Sequence, residues 1–251
     1  MKNFQIIKAL SSASAVSGIK KESSAMFIAG GTNLVDLMKK NVVAPDKLVD
    51  ITGIDLKKVE FLKGKVSIGA LAKNSQVAED SSIKENHPLL ALALAAGASQ
   101  QIRHMATVGG NMLQRTRCPY FYNTDMPCNK RVPKSGCGAI GGSNRMHAIF
   151  GASDSCIAVH PSDMCVALAA LDATVLVEGP KGKREIKFTD FHRLPGNTPE
   201  KDNILGEKEM ITYVEIPDNK FNKNIHYLKV RDRSSYAFAL VSVAVALDIQ
   251  N

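Results

Sequence analysis

The feature that most constrains the fold of this chain is a long segment, residues 107–160, without regular periodicity. Gly, Pro, Cys, Asn and Arg dominate this segment. Its apolar residues follow neither the helical period of about 3.6 residues nor the strand period of about 2. Because a loop of this length inside a compact chain is usually functional, we expect the rest of the chain to form a scaffold around it.

The composition is that of a globular protein. The chain has 251 residues, of which 45% are hydrophobic and 22% charged, which excludes a disordered tail and a mini-protein. The longest apolar runs, 88–98 and 236–247, are shorter than the roughly 20 residues of a membrane-spanning helix, so we predict no membrane insertion. Gln5 and Lys8 interrupt the apolar stretch at the N-terminus, so we predict no secretory signal peptide.

Both sides of the irregular segment carry patterns typical of helices and strands. Before it, the sequence predicts strands at 25–29, 47–51, 59–62 and 66–68 and helices at 33–41, 74–80 and 89–99. After it, the sequence predicts a helix to residue 171 and strands at 174–178, 209–216, 226–230 and 238–248. A Gly-Pro-Lys-Gly turn ends at residue 182, and we place a domain boundary there, giving domains 1–182 and 183–251.

Two glycine turns are candidate phosphate sites. The letters AGGTNL at 29–34 follow a predicted strand and open a predicted helix, so backbone N–H groups could approach a phosphate there. The letters TVGGN at 107–111 supply a second turn, and the two could hold one diphosphate from both sides. Neither turn has the spacing of a dinucleotide fingerprint or a P-loop, so plain turns remain the alternative. In HPSD at 160–163, Asp163 is either a ligand contact or a helix cap.

Four of the five cysteines lie in the irregular segment, at spacings of 10, 9 and 19 residues. The absence of a C-x₂-C pair leaves a structural zinc site open without favouring it. An iron–sulfur cluster requires only four converging thiolates, and the neighbouring Pro and Gly residues suit a loop wrapped around a centre. Cys165 lies among apolar residues and is interpreted as a buried helix position. An odd cysteine count in a chain this long favours assembly in a reducing compartment. The four candidate ligands are Cys118, Cys128, Cys137 and Cys156.

The charge is unevenly distributed. The net charge is +8, and residues 103–147 hold seven Lys or Arg against the single acid Asp125. This excess indicates an anionic ligand or partner, with a solvated basic loop as the alternative. Scarce aromatic residues and the lack of a recognition motif argue against nucleic acid.

The segments AGGTNL, IGAL at 68–71, TVGGN and HPSD occur in the order and spacing of a known family. The chain resembles, over essentially its whole length, the FAD-binding subunits of molybdenum hydroxylases, which include xanthine dehydrogenase, carbon monoxide dehydrogenase and bacterial aldehyde oxidoreductases. It is most similar to periplasmic aldehyde oxidoreductase subunits whose loop carries a [4Fe-4S] cluster. The resemblance implies an α+β fold, with an FAD-binding domain of two subdomains (PCMH-type) followed by a smaller C-terminal domain of antiparallel sheet and helices that extends beyond Asn251.

The resemblance also implies the residues that hold the cofactors. The four loop cysteines would bind a [4Fe-4S] cluster within an iron–sulfur loop at about 112–159. Segments 25–34 and 107–111 would hold the FAD diphosphate, Asp163 would lie on its ribityl or adenosine side, and Lys229 would approach the flavin. The implied FAD-binding residues are Met26, Phe27, Ile28, Ala29, Gly30, Gly31, Thr32, Asn33, Leu34, Thr107, Gly109, Gly110, Asn111, Asp163 and Lys229.

The function implied by the resemblance is electron transfer within a heterotrimer. A large subunit with molybdenum cofactor and a small [2Fe-2S] subunit would deliver electrons to FAD on this chain, which passes them to an external acceptor. No residue of this chain would act as a catalyst, and the subunit alone would be inactive toward aldehydes. Assembly would occur in the cytoplasm, and co-export with a partner would bring the chain to the periplasm. A zinc-stabilised, basic nucleic-acid-binding or scaffold protein is the alternative, in which the glycine turns are only turns.

Overall fold

A three-stranded parallel sheet forms the first unit of the fold in the computed structural model, which describes residues 1–20 and 24–249. The strand order is β1-β3-β2, and a helix makes each crossover, as parallel strands require. The elements are β1 (Gln5–Lys8), α1 (Ser12–Lys20), β2 (Ala25–Ile28), α2 (Leu34–Lys39) and β3 (Lys47–Asp50).

A five-stranded antiparallel sheet with helices packed on it forms the second unit. Its strand order is β4-β5-β8-β6-β7, so the strand latest in the chain lies in the middle. The elements are β4 (Val59–Leu62), β5 (Lys65–Gly69), α3 (Asn74–Glu79), α4 (Ser81–Asn86), α5 (Pro88–Ala96), α6 (Gln100–Met105), α7 (Val108–Met112), α8 (Pro119–Tyr122), α9 (Asp163–Ala170), β6 (Thr174–Gly179), β7 (Gly182–Lys187), α10 (Phe188–Phe191) and β8 (Met210–Pro217).

The main core lies between this sheet and helices α5 and α9. Val214 of β8 is opposite Ile68 on one side and Val175 on the other, and all three are fully or almost fully buried. Helix α5, PLLALALAA, is apolar nearly all round, which is the pattern of a helix buried in a core. Each fully buried side chain of this kind contributes roughly 1.5–3 kcal/mol. The central position of α5 therefore follows from its composition.

The two units share a second apolar cluster. Ala15 and Val49 of the first unit pack in the same cluster as Leu71 and Met210 of the second. The parallel sheet is therefore fixed against the antiparallel one, and the turn after β2 faces helices α6 and α7.

The predicted boundary at residue 182 falls inside the five-stranded sheet and is corrected here. Strands β7 and β8 both follow that residue and pair with β6. A boundary drawn from the topology lies after Pro217. Local turn residues suggested the earlier position, but the pairing that decides it joins residues far apart in the chain.

A two-stranded antiparallel ribbon follows the sheet and consists of β9 (Ile225–Val230) and β10 (Val241–Ala246). Ile225, Tyr227 and Ala244 pack against the main core, while the alternate residues of both strands face outward. The α+β fold of two subdomains followed by antiparallel strands is confirmed.

The predicted irregular segment is irregular in the structure. Within 107–160 only the short helices α7 and α8 form, and turns make up most of the rest. None of the helices in the described ranges is long and apolar enough to cross a membrane.

Candidate functional site

Two cavities meet at the glycine turns. The N-terminal cavity, of about 380 Å³, lies along β2 and the turn that follows it. The central cavity, of about 470 Å³, lies between α5, α6, α7 and the start of α9. Both are lined by Thr32, Asn33 and Gly110. An elongated ligand that fills both cavities would therefore be held in its middle by these turns.

The first glycine turn offers free backbone donors. In the described part of the chain, the N–H groups of residues 31–34 donate to no protein acceptor. These groups open helix α2, whose first-turn amides lack intrahelical partners, and Asn33 makes no capping bond. The helix dipole adds partial positive charge at the same place. An anionic group such as a phosphate would satisfy these donors.

The second glycine turn uses its amides within the protein. The N–H of Val108 donates to Ala72 O at 3.0 Å, and that of Gly109 donates to Ala70 O at 2.8 Å. The N–H of Gly110 donates to the Thr107 hydroxyl at 3.2 Å. The expectation that these three amides are free donors is therefore corrected, because the segment that follows β5 and the Thr107 cap of α7 already accept from them.

The glycines of the first turn are required by geometry. A Cβ on Gly30 would lie 2.0 Å from the carbonyl oxygen of Met105, the residue that ends α6. The same oxygen accepts a hydrogen bond of 2.9 Å from Lys73 Nζ. Gly31 has a φ of +72°, a conformation that side-chain-bearing residues rarely adopt. The first glycine therefore permits close packing of α6, and the second permits the turn itself.

Within the part of the chain that the structure describes, three buried side-chain polar atoms without a partner belong to residues that line the central cavity. They are Asn33 Nδ2, Asn74 Oδ1 and Arg117 Nε. The side-chain oxygen of Asn33, Oδ1, already accepts a hydrogen bond from the backbone N–H of Arg115 at 3.0 Å. The side-chain NH₂ group of Asn33 is therefore the part that can bind a ligand. Buried polar atoms are nearly always hydrogen-bonded, and a polar ligand in this cavity would supply the missing partners. The chemistry of the cavity thus fits a ligand rich in oxygen and nitrogen.

Asp163 is a buried carboxylate at the edge of the central cavity. It is the first residue of α9, and Ser162 rather than Asp163 caps that helix, by accepting the N–H of Cys165 at 3.1 Å. Asp163 Oδ1 accepts a hydrogen bond of 2.7 Å from Tyr227 OH. Burial and the neighbouring carboxylate raise the pKa of Tyr227 far above its usual value. The tyrosine therefore remains a neutral donor to Asp163.

Lys229 lies behind Asp163 and does not reach the ligand cavities. Its Nζ donates to Asp163 Oδ2 at 2.8 Å and to Ala96 O at 3.0 Å. Lys229 is not among the described residues that line the two cavities. In this structure the ammonium of Lys229 contacts Asp163, and its approach to the flavin stays a prediction.

The other fourteen predicted binding residues all line one or both cavities. Further lining residues were not predicted. Asn74 is the third residue after the IGAL segment, and its proximity to that motif was the available signal. For the other side chains no local pattern marks the position, since the fold brings them in from separate segments. The unpredicted polar and aromatic lining residues of the central cavity include Asn74, Arg103, Gln114, Arg117, Arg233, Tyr236 and Phe238.

The four loop cysteines line one small cavity. Cys128 and Cys137 face each other across a short antiparallel bridge, and Cys118 and Cys156 enter from α8 and from the segment before α9. In the described structure no three of these sulfurs lie within 4.8 Å of one another. Tetrahedral zinc with Zn–S bonds of about 2.3 Å needs sulfurs about 3.8 Å apart, so the set is wider than a zinc site. The cavity that the cysteines line measures about 10 Å³.

Burial raises the pKa of the Cys118 and Cys156 thiols. Without a metal these two residues are neutral at pH 7, and metal binding would release their protons. Complete burial raises the pKa of Cys165 to about 12. Cys165 lies apart from the four, beside His160 and His192.

Ion pairs hold the cysteine loop to the rest of the protein. Asp202 accepts from Arg115 at 2.6 Å and from Lys130 at 2.5 Å. Arg117 pairs with Asp36 at 2.9 Å, and Arg145 pairs with Asp232. Four of the seven basic residues of 103–147 are thus paired with acidic side chains of the same chain. Arg103 and Arg117 also line the central cavity, and the expected anionic ligand or partner stays a prediction.

A third cavity, which we call the passage, lies between the cysteine cavity and the central cavity. It measures about 190 Å³. It shares Arg117 and Asp163 with the central cavity and shares Thr116 and Cys118 with the cysteine cavity. Of the four cysteines described, Cys118 alone lines the passage. The passage therefore borders both the cysteine cavity and the central cavity.

Comparison with known proteins identifies the family. A sequence profile described as the FAD binding domain in molybdopterin dehydrogenase matches residues 2–219, which end just after β8. The chain is 48% identical over 249 residues to the aldehyde oxidoreductase FAD-binding subunit PaoB of Escherichia coli (strain K12), covering 98% of this chain and 78% of that protein. It is 26% identical over 245 residues to the glyceraldehyde dehydrogenase medium chain of Sulfolobus acidocaldarius, covering 97% and 70%.

Solved structures show the same fold. The Cu,Mo-CO dehydrogenase in its cyanide-inactivated form aligns with a TM-score of 0.73 at 22% identity, covering 98% of this chain and 70% of that chain. Quinoline 2-oxidoreductase from Pseudomonas putida 86 aligns with a TM-score of 0.73 at 23% identity, covering 99% and 70%. The chain belongs to the family of FAD-binding domains of molybdopterin dehydrogenases and is an oxidoreductase subunit of that family.

Proposed function

We propose that this chain is the electron-transferring FAD subunit of a molybdenum-dependent aldehyde oxidoreductase. Partner subunits with molybdenum and [2Fe-2S] centres would supply electrons to FAD, which would pass them to an external acceptor. The observation that carries the proposal is the pair of cavities joined at the free amides of residues 31–34. The 48% identity to PaoB supports the aldehyde class of substrate.

The chain's own residues would bind and orient the cofactor. The amides of residues 31–34 would hold the diphosphate, and the unpartnered groups of Asn33, Asn74 and Arg117 would hydrogen-bond polar atoms of the ligand in the central cavity. Asp163 is held in one orientation by Tyr227 and Lys229, so its carboxylate can accept from ligand hydroxyls without moving. Bound FAD supplies the redox chemistry, and the protein supplies position and polarity.

We assign a [4Fe-4S] cluster to Cys118, Cys128, Cys137 and Cys156. Four cysteines around one cavity are the donor set of such a cluster. Their spread beyond zinc distances supports a centre larger than one ion. The passage supports a role beside the ligand cavities, because Cys118 borders both.

Metal and flavin content of the purified protein test these assignments. We expect a yellow-brown protein that releases FAD on denaturation and carries about four irons per chain. Each of the four Cys→Ser changes should lower the iron content. Cys165→Ala, a change outside the cysteine cavity, should leave it intact and is the matched control. Stoichiometric zinc without iron or flavin, after anaerobic preparation, would support a structural-zinc scaffold instead.

Co-purification from the native host tests the partnership. A tagged chain should bring down a molybdenum-containing large subunit and a [2Fe-2S] subunit, because the proposal leaves aldehyde oxidation to those partners. The chain alone should not oxidise aldehydes. Recovery of a solitary chain that turns over aldehydes would refute the proposal.

A further inference from the structure

His147 makes a contact that the proposed function does not use. Its Nε2 lies 3.1 Å from Cys118 Sγ, and its side chain is almost entirely buried. Two backbone hydrogen bonds hold the main chain around His147 in place. The N–H of His147 donates to Asn144 O at 3.0 Å, and the N–H of Ala148 donates to Ile157 O at 2.8 Å, next to Cys156. The backbone of His147 is thus fixed beside the cysteine site, and its ring lies against Cys118.

The direction of this hydrogen bond follows from the chemistry of a ligating cysteine. A metal-bound thiolate has lone pairs and no proton, so it can only accept. The Nε2 of His147 must then carry the hydrogen and donate it. The other ring nitrogen, Nδ1, is buried and has no partner among the described residues. Among the described residues, the contact to sulfur is therefore the one hydrogen bond that positions this ring.

The contact falls on one particular cysteine. Cys118 borders both the cysteine cavity and the passage toward the central cavity. His147 lines the passage as well. The hydrogen bond therefore lies on the side of the cysteine site that faces the ligand cavities, where electrons would enter or leave.

We propose that His147 is a positioning residue that donates an N–H···S hydrogen bond to Cys118 and so raises the reduction potential of the cluster held by the four cysteines. This inference rests on the proposed [4Fe-4S] assignment. Reduction adds negative charge that is shared with the ligand sulfurs, and a donor at the sulfur stabilises that charge. Hydrogen bonds to sulfur are one of the means by which proteins tune such potentials.

Two substitutions in the assembled complex separate hydrogen bonding from packing. His147→Leu fills the space without a donor, whereas His147→Gln places an amide N–H near the position of Nε2. An EPR-monitored redox titration should show a downward shift of the cluster midpoint potential in His147→Leu, with unchanged iron and flavin content. His147→Gln should return the midpoint potential most of the way to the wild-type value. The exposed His226 on β9 supplies the control, and His226→Leu should leave the potential unchanged.

A direct measurement on the unaltered residue does not depend on how the leucine variant folds. With isotopically labelled histidine, pulsed EPR of the reduced cluster should detect a weak nitrogen coupling that disappears in His147→Gln. An unchanged potential in an iron-replete His147→Leu complex, or the absence of that coupling, would overturn the inference while leaving the cluster assignment in place. A wild-type complex without iron would instead overturn the cluster assignment and this inference with it.

Discussion

The ammonium of Lys229 lies 2.8 Å from the carboxylate of Asp163, and the two side chains are 5% and 8% exposed. The pair joins the ribbon strand β9 to the first turn of α9. Tyr227, two residues before Lys229 on the same face of β9, donates to the other carboxylate oxygen. One strand thus supplies both groups that orient Asp163 at the central cavity.

Loss of Lys229 should destabilise the protein strongly. Lys229→Met leaves a buried carboxylate without its cation, and breaking such a pair costs about 3 to 5 kcal/mol. The free energy of unfolding from urea titrations measures the effect. The exposed Lys183 on β7 is the control, and Lys183→Met should change stability little. Adding Asp163→Asn to Lys229→Met should recover part of the loss. Equal stability of Lys229→Met and Lys183→Met would show that the pair is not needed.

A methyl group at Gly30 should disrupt the first glycine turn. In Gly30→Ala the new Cβ meets the Met105 carbonyl at 2.0 Å, so α6 or the turn must move. We expect a loss of roughly 2 kcal/mol or more in stability, together with weaker flavin retention, because the same turn carries the free amides. Apart from its own atoms and its two chain neighbours, no described residue places a heavy atom within 4 Å of a Cβ at Gly141. Gly141→Ala should therefore keep both properties, and matching losses in the two variants would contradict the assignment.

The local elements around the site were largely predictable from sequence. The strand, glycine turn and helix at 25–41 appear as β2, the turn and α2, because alternation and glycine placement act over a few residues. Strand β1 was not predicted. Its side chains are all exposed at the sheet edge, so burial leaves no pattern in its sequence. Nothing nearby in the chain signals that it pairs with β3.

The long-range relationships of the site were not predictable from local patterns. The resemblance implies that Lys229 approaches the flavin. Whether its ammonium reaches a cavity or a carboxylate depends on how β9 packs against α9. In the same way, the ion pairs of the basic residues in the cysteine loop were not predicted, because their acidic partners, among them Asp36 and Asp202, lie far away in sequence. Such pairings are decided by tertiary packing, and a one-dimensional pattern does not contain them.

Asp202 should control the order of the cysteine loop. Asp202→Asn removes the charge that holds Arg115 and Lys130, and those two buried or half-buried cations then lack a counter-ion. Limited proteolysis should cut faster within 112–159 in this variant, and iron content should fall. Asp125 lies exposed on the same loop, so Asp125→Asn is the control and should be cleaved like wild type. Unchanged cleavage in Asp202→Asn would refute the anchoring role.

Acid should destabilise the protein through His160. Burial, assisted by the neighbouring His192, lowers the pKa of His160 from 6.5 to about 3. Between those values the unfolded chain binds a proton that the folded chain does not, so stability falls as the pH falls. The slope is at most about 1.4 kcal/mol per pH unit for one group.

Urea unfolding at pH 7 and pH 5 checks this expectation. His160→Gln cannot titrate and should show a shallower loss of stability over that interval than wild type. His226→Gln, a change on the exposed edge of β9, should keep the wild-type slope. Identical slopes for wild type and His160→Gln would show that His160 titrates normally.

The central position of β8 sets an order on the making of the protein. During synthesis, β5 and β6 leave the ribosome long before Met210–Pro217, the strand that must lie between them. The sheet therefore cannot close until Pro217 has emerged, and contacts this distant in sequence form slowly. The four cysteines are all synthesised before that moment. The irregular segment that carries them, residues 107–160, is therefore complete before the strand that closes the five-stranded sheet exists.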